Sequence, residues 1–462
     1  MQVAVIGSGP GGSIISRKLI DHGFDVTIFE KGKKIFQNEI EPYSKDELLK
    51  KYNGAGVTVA FGKQKIKFVE GSCLGGGSEI NAGLYHRLPD YLFEKWSEKF
   101  GLKNFTIEEL RKDFEETATA INVDFNSSKI TPLSKKLALG AKKLNWKVVE
   151  VPRWIKTLDD GSEIRQSMTE TYLNQKCLKN VVSEKIVKLK KHGNYWKVVT
   201  SSGLKKLYDK VFLCAGAIET PLLLQKSKLS KLAGNNLFMH PSLKVVAQFN
   251  ESVNPLSRNV GVHQVKEFSP IISFGCSIST PEYLAIALKE NGQDPTLLIN
   301  NFNKMGVYYV MLNGGRGNIL KIPLLNESLV RYEIGSHELD QLIQGVTNLS
   351  NLLFKSGAKK VYPGINGLGS LNSVEDLYKL FFTKNKKHLN LMTIHLMGSC
   401  PFGENTKLCV ADSWGKVHGH DGLFIADSSL MNSGLGVNPQ GTLMAIAHRV
   451  ANKFISDNNI SQ

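Results

Sequence analysis

Val3-Ala4-Val5-Ile6-Gly7-Ser8-Gly9-Pro10-Gly11-Gly12 opens the chain as an apolar run broken by glycine at 7, 9 and 12. That is G-x-G-x-x-G spacing, which lays a dinucleotide pyrophosphate along the turn between a strand and a helix. Gly7 ends the strand in a tight turn, Gly9 lets the pyrophosphate approach the backbone, and Gly12 lets the next helix pack close. A helix predicted from about Gly12 to His22 aims its free N–H groups and positive dipole end at the phosphates. With 42 glycines in 462 residues such spacing also arises by chance, so the flanking strand and helix carry the reading. Asp25-Val26-Thr27-Ile28-Phe29 reads as the second strand, ending in Glu30 where a carboxylate meets a ribose hydroxyl. At this point the nucleotide is equally NAD or FAD.

Beyond Glu30, the polar stretch Lys31 to Lys67 lacks the next strand and helix of a simple NAD domain, so the nucleotide fold is interrupted. Glu70 to Arg87 follows as a second glycine-dense stretch, in which Gly75-Gly76-Gly77 permits close backbone approach and Asn81 is placed to donate. Trp96 to Leu144 has helical spacing and reads as packing. Val181 to Leu189, Tyr195 to Thr200 and Lys210 to Ala215 read as three strands in which the nucleotide fold resumes. The last runs into Ala215-Gly216-Ala217, with Thr220 and Pro221 as expected N-cap and first residue of a helix.

His240 to Ile334 breaks into short strands without intervening helices, with Asn313 to Asn318 as a hairpin turn, and predicts an inserted antiparallel sheet. Ser336 is the expected cap of an amphipathic helix ending near Gly357. In Leu391 to Gly398, period-two alternation puts Met392, Ile394 and Leu396 on one face, leaving His395 off the face expected to be buried. The strand Leu423 to Ala426 then ends in Asp427-Ser428-Ser429, and Asn438-Pro439 is the expected cap and first residue of a long last helix. Arg449 and Lys453 stand toward that helix's negative end.

A chain of 462 residues exceeds one ordinary core and predicts two interleaved domains. The first strand begins too early for a signal peptide and no apolar run reaches membrane-spanning length, so the expectation is a cytoplasmic protein without a transmembrane segment. Six scattered cysteines without C-x-x-C spacing indicate neither a metal site nor a disulfide framework. The net charge of +16 fits an anionic partner or substrate, but lysines spread in ones and twos read as a solvated basic surface, and no nucleic acid is expected.

The stretch around Gly76, Gly77, Ser78 and Asn81 resembles the flavin motif of the glucose-methanol-choline (GMC) oxidoreductases, and Ala215-Gly216-Ala217-Ile218-Glu219-Thr220-Pro221 resembles the family's second motif. His395 before Gly398-Ser399-Cys400, then Asp427-Ser428-Ser429, then Asn438-Pro439, resemble its carboxyl-terminal signature. The resemblance implies an α/β fold: a Rossmann-like FAD-binding domain (1–90, 150–235 and 395–462) with an inserted antiparallel-sheet substrate domain (91–149 and 236–394). It also implies that His395 is the base and Asn438 orients a substrate hydroxyl, as in the family's His-Asn branch. Ile186 stands where a strand backbone meets the adenine. Some members tether the flavin through a histidine just before the matching asparagine; Ile80 stands there, implying non-covalent FAD.

On that reading, the backbone N–H groups of Gln440 and Gly441 serve the flavin N1/C2 edge, which becomes anionic on reduction. The implied activity is oxidation of an alcohol, polyol or sugar, the electron acceptor being unassigned. A lyase or decarboxylase on the same fold, and a basic protein with an inert nucleotide fold, are the alternatives.

Overall fold

The computed structural model describes residues 1–103, 105–125, 130–159, 163–255, 260–323, 327–381 and 388–458. Among them, five parallel strands form one sheet in the order Leu423–Ile425, Lys210–Leu213, Gln2–Ile6, Asp25–Glu30, Val181–Ser183. Val3, Val5, Ile28 and Phe212 are buried, as expected where helices cover a parallel sheet. Helix Pro10–Asp21 follows the first turn, and the last helix, Gln440–Asn458, packs along it. Gly7 has φ +101°, and a Cβ there would sit 2.3 Å from the Cys214 carbonyl oxygen; at Gly12 it would meet the Gly7 carbonyl oxygen at 1.9 Å.

Val181 to Leu189 is not one strand. Val181–Ser183 pairs in parallel with Asp25–Glu30, whereas Ile186–His192 pairs antiparallel with Tyr195–Thr200, which in turn pairs with Lys205–Tyr208. Thr220 is not a helix cap either. The helix Gly216–Lys226 begins four residues earlier and takes Pro221 into its interior. Proline cannot donate to the Ala217 carbonyl, and Ser399 Oγ donates to that carbonyl instead at 2.6 Å. Thr220 is thereby free to donate to Asp427 Oδ2 at 2.5 Å.

The second, larger sheet is mainly antiparallel. Its centre runs Ser242–Phe249, Met305–Leu312, Ile272–Cys276, His263–Val265, Val148–Glu150. On its other side lie Leu391–Thr393, Ile66–Phe68 and Thr58–Ala60, so part of Lys31 to Lys67 does form strands. A helix, Lys45–Lys51, lies there too, with Ser44 accepting from the Glu47 N–H at 3.2 Å. These elements hold three to seven residues, too short for a periodic signal.

Helix Pro281–Glu290 interrupts the run of strands, burying Leu284, Ala287 and Leu288 against Val246 and Met305. Asn313 to Asn318 makes no hairpin: Met305–Leu312 stays in the large sheet while Arg316–Lys321 pairs with Ser328–Glu333 as a separate ribbon. Helix Ser336–Lys355 is capped at Gly335 rather than Ser336, with Glu338 accepting from the Gly335 N–H at 2.7 Å and from the Gly315 N–H at 2.7 Å.

Leu243, Val245, Phe274, Val310 and Leu312 face helix Ser336–Lys355 in a second hydrophobic core. Of segment 91–149, helices Asp90–Phe100 and Ile107–Ala120 pack into the core of the parallel sheet, and Pro132–Lys143 packs into the second core. Among the described residues, no helix is long and apolar enough to cross a membrane and no cluster of His, Cys, Asp or Glu could hold a metal ion.

Candidate active site

The carboxyl ends of the parallel strands open on a cleft lined by Gly7, Gly9, Glu30, Gly76, Ile186, Ala215, Gly216 and Asp427. A Cβ at Gly9 would meet no protein atom within 4 Å, so the backbone there faces open space. Glu30 Oε2 accepts from the Ser8 N–H at 3.0 Å and Ser8 Oγ at 2.6 Å, and Oε1 accepts from the Gly32 N–H at 2.6 Å. Its carboxylate therefore also ties the first turn to the end of the second strand. Asp427 Oδ2 accepts from the Gly216 N–H at 2.8 Å, tying the end of the Leu423–Ile425 strand to the Gly216 turn, while burial raises its pKa. Lys31, Glu70 and Glu219 line the same cleft. Lys31 pairs with Glu219 at 2.6 Å, and burial pushes the Glu70 carboxyl up to about 7.

The second glycine stretch folds over this turn. A Cβ at Gly76 would lie 2.9 Å from Gly9 Cα, whereas one at Gly77 would meet nothing. Ser78 is spent within the protein, its Oγ donating to the Gly75 carbonyl at 2.8 Å and accepting from the Met168 N–H at 3.0 Å. Asn81 Oδ1 accepts from the Gly83 N–H at 2.8 Å, but its Nδ2 is buried without a partner. Beneath the loop, buried Arg165 pairs with Glu47 at 2.6 Å and donates to the Asn81 carbonyl at 2.9 Å.

The last helix begins at Gln440, and its first bond runs from the Leu443 N–H to the Pro439 carbonyl at 3.0 Å. Pro439 therefore takes the cap position expected of Asn438, which stands one residue before it. Gln440 Nε2 and Thr442 Oγ1 are buried without partners. A Cβ at Gly441 would lie 2.3 Å from the His86 carbonyl oxygen, so helix and loop touch backbone to backbone. Arg449 lies between the rings of Phe105 and Trp414, at 4.0 and 4.2 Å. Unpartnered buried polar atoms cost about 1–3 kcal/mol each unless a ligand satisfies them. Asn81, Gln440 and Thr442 supply such atoms from both glycine stretch and helix start, which fits a large polar cofactor.

The alternation holds, but the face that His395 shares with Leu391 and Thr393 is the buried one, so His395 is buried while Ile394 is 51% exposed, contrary to the expected choice of face. The strand Leu391–Thr393 ends at Thr393, whose Oγ1 accepts from the His395 N–H at 3.1 Å. His395 Nδ1 lies 3.0 Å from His240 Nδ1, and its Nε2 lies 3.4 Å from Asn438 Nδ2. His240 Nε2 accepts from the N–H groups of Leu435 at 3.2 Å and Gly436 at 3.1 Å. Asn438 Oδ1 accepts from Gln264 Nε2 at 3.2 Å, and Gln264 also reaches Tyr309 OH at 3.0 Å and His86 Nε2 at 3.1 Å.

Burial, with the charges of Lys244 and Lys266, lowers the His395 pKa to about 3; burial and Lys266 do the same for His86. Burial, His395 and Lys266 push His240 well below its usual value. All three imidazoles are neutral at neutral pH. Sequence reading missed His240, His86, Gln264, Tyr309 and Lys266. Each stands alone in its segment, and pairing across the large sheet is what brings most of them together.

A GMC oxidoreductase family model matches residues 49–242, and a second, for the carboxyl-terminal part, matches 327–447. An uncharacterized GMC-type oxidoreductase of Sinorhizobium fredii, y4nJ, is 31% identical, covering 98% of this chain and 94% of its own. The long-chain-alcohol oxidase FAO4B of Arabidopsis thaliana is 22% identical over 98% of this chain and 67% of its own. Among solved structures, pyridoxine 4-oxidase of Mesorbium loti superposes with a TM-score of 0.76 at 17% identity, covering 98% of this chain and 99% of that one. Formate oxidase of Aspergillus oryzae RIB40 superposes with a TM-score of 0.71 at 17% identity, covering 99% and 98%. The family models and the S. fredii relative establish what the two glycine stretches and the carboxyl-terminal signature imply: this chain belongs to the GMC family of FAD-dependent oxidoreductases.

Proposed function

We propose that the enzyme oxidises a CH–OH group of a small molecule, with His395 as the base and Asn438 as the residue that orients the hydroxyl. Bound FAD supplies the hydride acceptor. Gly9 and Gly216 give it open backbone in the cleft, and Asn81 Nδ2, Gln440 Nε2 and Thr442 Oγ1 are donors with nothing else to bind. The segments 1–90, 150–235 and 395–462 would hold it without a covalent tether, while the large sheet closes the substrate side.

One observation carries the reading: the buried His395 presents its Nε2 to the half-buried Asn438 amide at 3.4 Å, beside the start of the last helix. An alcohol O–H is a very weak acid, so loss of hydride from its carbon needs a neutral imidazole to take the proton as the carbonyl forms. His395 is neutral, and burial keeps water from competing for its nitrogen. Anaerobic bleaching of the purified yellow protein by members of an alcohol and sugar panel tests this. Bleaching by one class supports it, and a flavin that none of them reduces argues against it.

A further inference from the structure

The two faces of the large sheet differ. Leu243, Val245, Phe274, Val310 and Leu312 point into the hydrophobic core, so alternation turns Ser242, Lys244, Tyr309, Ser273 and Gln264 to the opposite face. Gln264 on that face binds Asn438, so this is the floor beneath the His395 site. Lys244 stands opposite Tyr309, and Tyr309 opposite Gly275, where a Cβ would meet the phenol oxygen at 2.4 Å. Gln264 completes that row opposite Gly275.

The neighbouring row holds an imbalance. Gln264 pairs with Gly275 and Val265 with Phe274, and the Lys266 N–H continues the strand by donating to the Lys147 carbonyl at 2.9 Å. The same register sets Lys266 opposite Ser273, on the face of Gln264. Lys266 Nζ is sealed from solvent and makes no hydrogen bond, and neither does the buried Ser273 Oγ. Lys244, by contrast, donates to Ser277 Oγ at 2.8 Å and faces Glu290. Burial unopposed by any acid lowers Lys266 to about 8, leaving it charged at neutral pH, and its charge reaches His86, His240 and His395. A buried ammonium without a counter-charge is costly, and an anion is what would satisfy it.

We propose that the substrate is a hydroxy carboxylate, held with its carboxylate on Lys266 and Ser273 and its hydroxyl at His395 and Asn438. This rests on the alcohol-oxidation reading above. One ammonium and one hydroxyl match a singly charged carboxylate, whereas a phosphate dianion calls for more donors or an arginine fork. The net charge of +16 would draw such an anion toward the enzyme. In the step, the carbinol C–H bond breaks and its electron pair leaves as hydride to the flavin. The O–H proton passes to His395 Nε2, the carbon–oxygen double bond forms, and the product is an oxo acid with its carboxylate unchanged. The bound carboxylate also offsets the Lys266 charge that disfavours a protonated His395.

The test is anaerobic flavin reduction in the holoenzyme, comparing glycerate with glycerol, lactate with propanediol, and glycerol phosphate with both. Glycerate is expected to exceed glycerol by on the order of 100-fold in second-order rate constant, with K266M collapsing that ratio toward one and K266R restoring part of it. Equal rates for acid and alcohol overturn the proposal, as does a K266M variant that slows both alike, which would tie Lys266 to the flavin. Preference for glycerol phosphate overturns it in favour of a phosphorylated alcohol. Should no compound bleach the flavin, the oxidation reading fails instead. The anion site is then decided by titration with unreactive oxalate, whose perturbation of the flavin spectrum must appear in wild type and vanish in K266M.

Discussion

His395 Nδ1 and His240 Nδ1 lie 3.0 Å apart with their rings perpendicular, so a single proton is shared between them. When His240 Nε2 accepts from the Leu435 and Gly436 amides, the His240 proton sits on Nδ1 and His395 carries its own on Nε2. The Asn313 side chain also hydrogen-bonds the His240 ring. If Asn313 takes a proton on His240 Nε2, the pair reverses, His395 becomes the Nδ1–H form, and its Nε2 lone pair is free for a substrate proton. His240 is thus a positioning residue that selects the form in which His395 can act.

That relationship is tested by His240→Asn, which keeps an amide near Nδ1, and His240→Phe, which keeps only bulk. Flavin reduction is expected to fall by about 10²-fold or more in His240→Phe and less in His240→Asn. The pH dependence of the reduction rate should move in both, a shift that mere loss of packing would not produce. His395→Ala should lower the rate by about 10²–10⁴-fold with FAD still bound. An unchanged rate in His395→Ala would remove that residue from the mechanism.

Acid should destabilise the protein through its buried imidazoles. His86 and His395 titrate at about 3 in the fold against the ordinary 6.5, so the unfolded chain binds more protons between those values. Their stabilising contribution is complete above about pH 6.5 and is lost as pH falls toward 3, at about 1.4 kcal/mol per pH unit for each group. Urea midpoints between pH 7 and 5 check this, and His86→Gln should flatten the slope.

Two glycines of the opening turn should fail differently. Gly9→Val puts a side chain into open space, so apoprotein melting should hold within about 0.5 kcal/mol while the flavin-to-protein ratio collapses. Gly12→Ala drives a Cβ onto the Gly7 carbonyl at 1.9 Å and should lower the apoprotein melting temperature itself. Absorbance of the purified proteins and their melting curves separate the two.

Arg165→Met leaves Glu47 buried and unpaired and removes a donor from the Asn81 carbonyl. The expected cost is about 3–5 kcal/mol, with weaker FAD retention because the Gly75 to Asn81 loop loses its support. The double variant Arg165→Met, Glu47→Leu should recover much of the stability, as denaturant melts will show.

Cofactor elements were legible because backbone chemistry forces the same residue types each time. Gly7, Gly12 and Glu30 answer to a turn and a close approach that few other residues meet. The long helices were legible from their apolar stripes. What escaped depends on contacts made only in the fold: His240 meets His395 across a sequence separation of 155, and Lys266 acquires meaning only through the register of its strand with Ile272–Cys276. Ser78 and Asn438, expected at the cofactor and the substrate, hydrogen-bond protein partners, since a motif position does not say which atoms are already spoken for.

Ser399 compensates for Pro221 and bridges two elements. Its hydroxyl stands in for the amide that proline lacks in a helix whose first residue faces the cofactor cleft. Ser399 lies four residues after His395 on the same segment. One hydroxyl therefore clamps the element beneath the dinucleotide to the segment presenting the imidazole. A displacement of either would strain that bond, so the placements of the helix at the cleft and of the His395 segment are tied at one point.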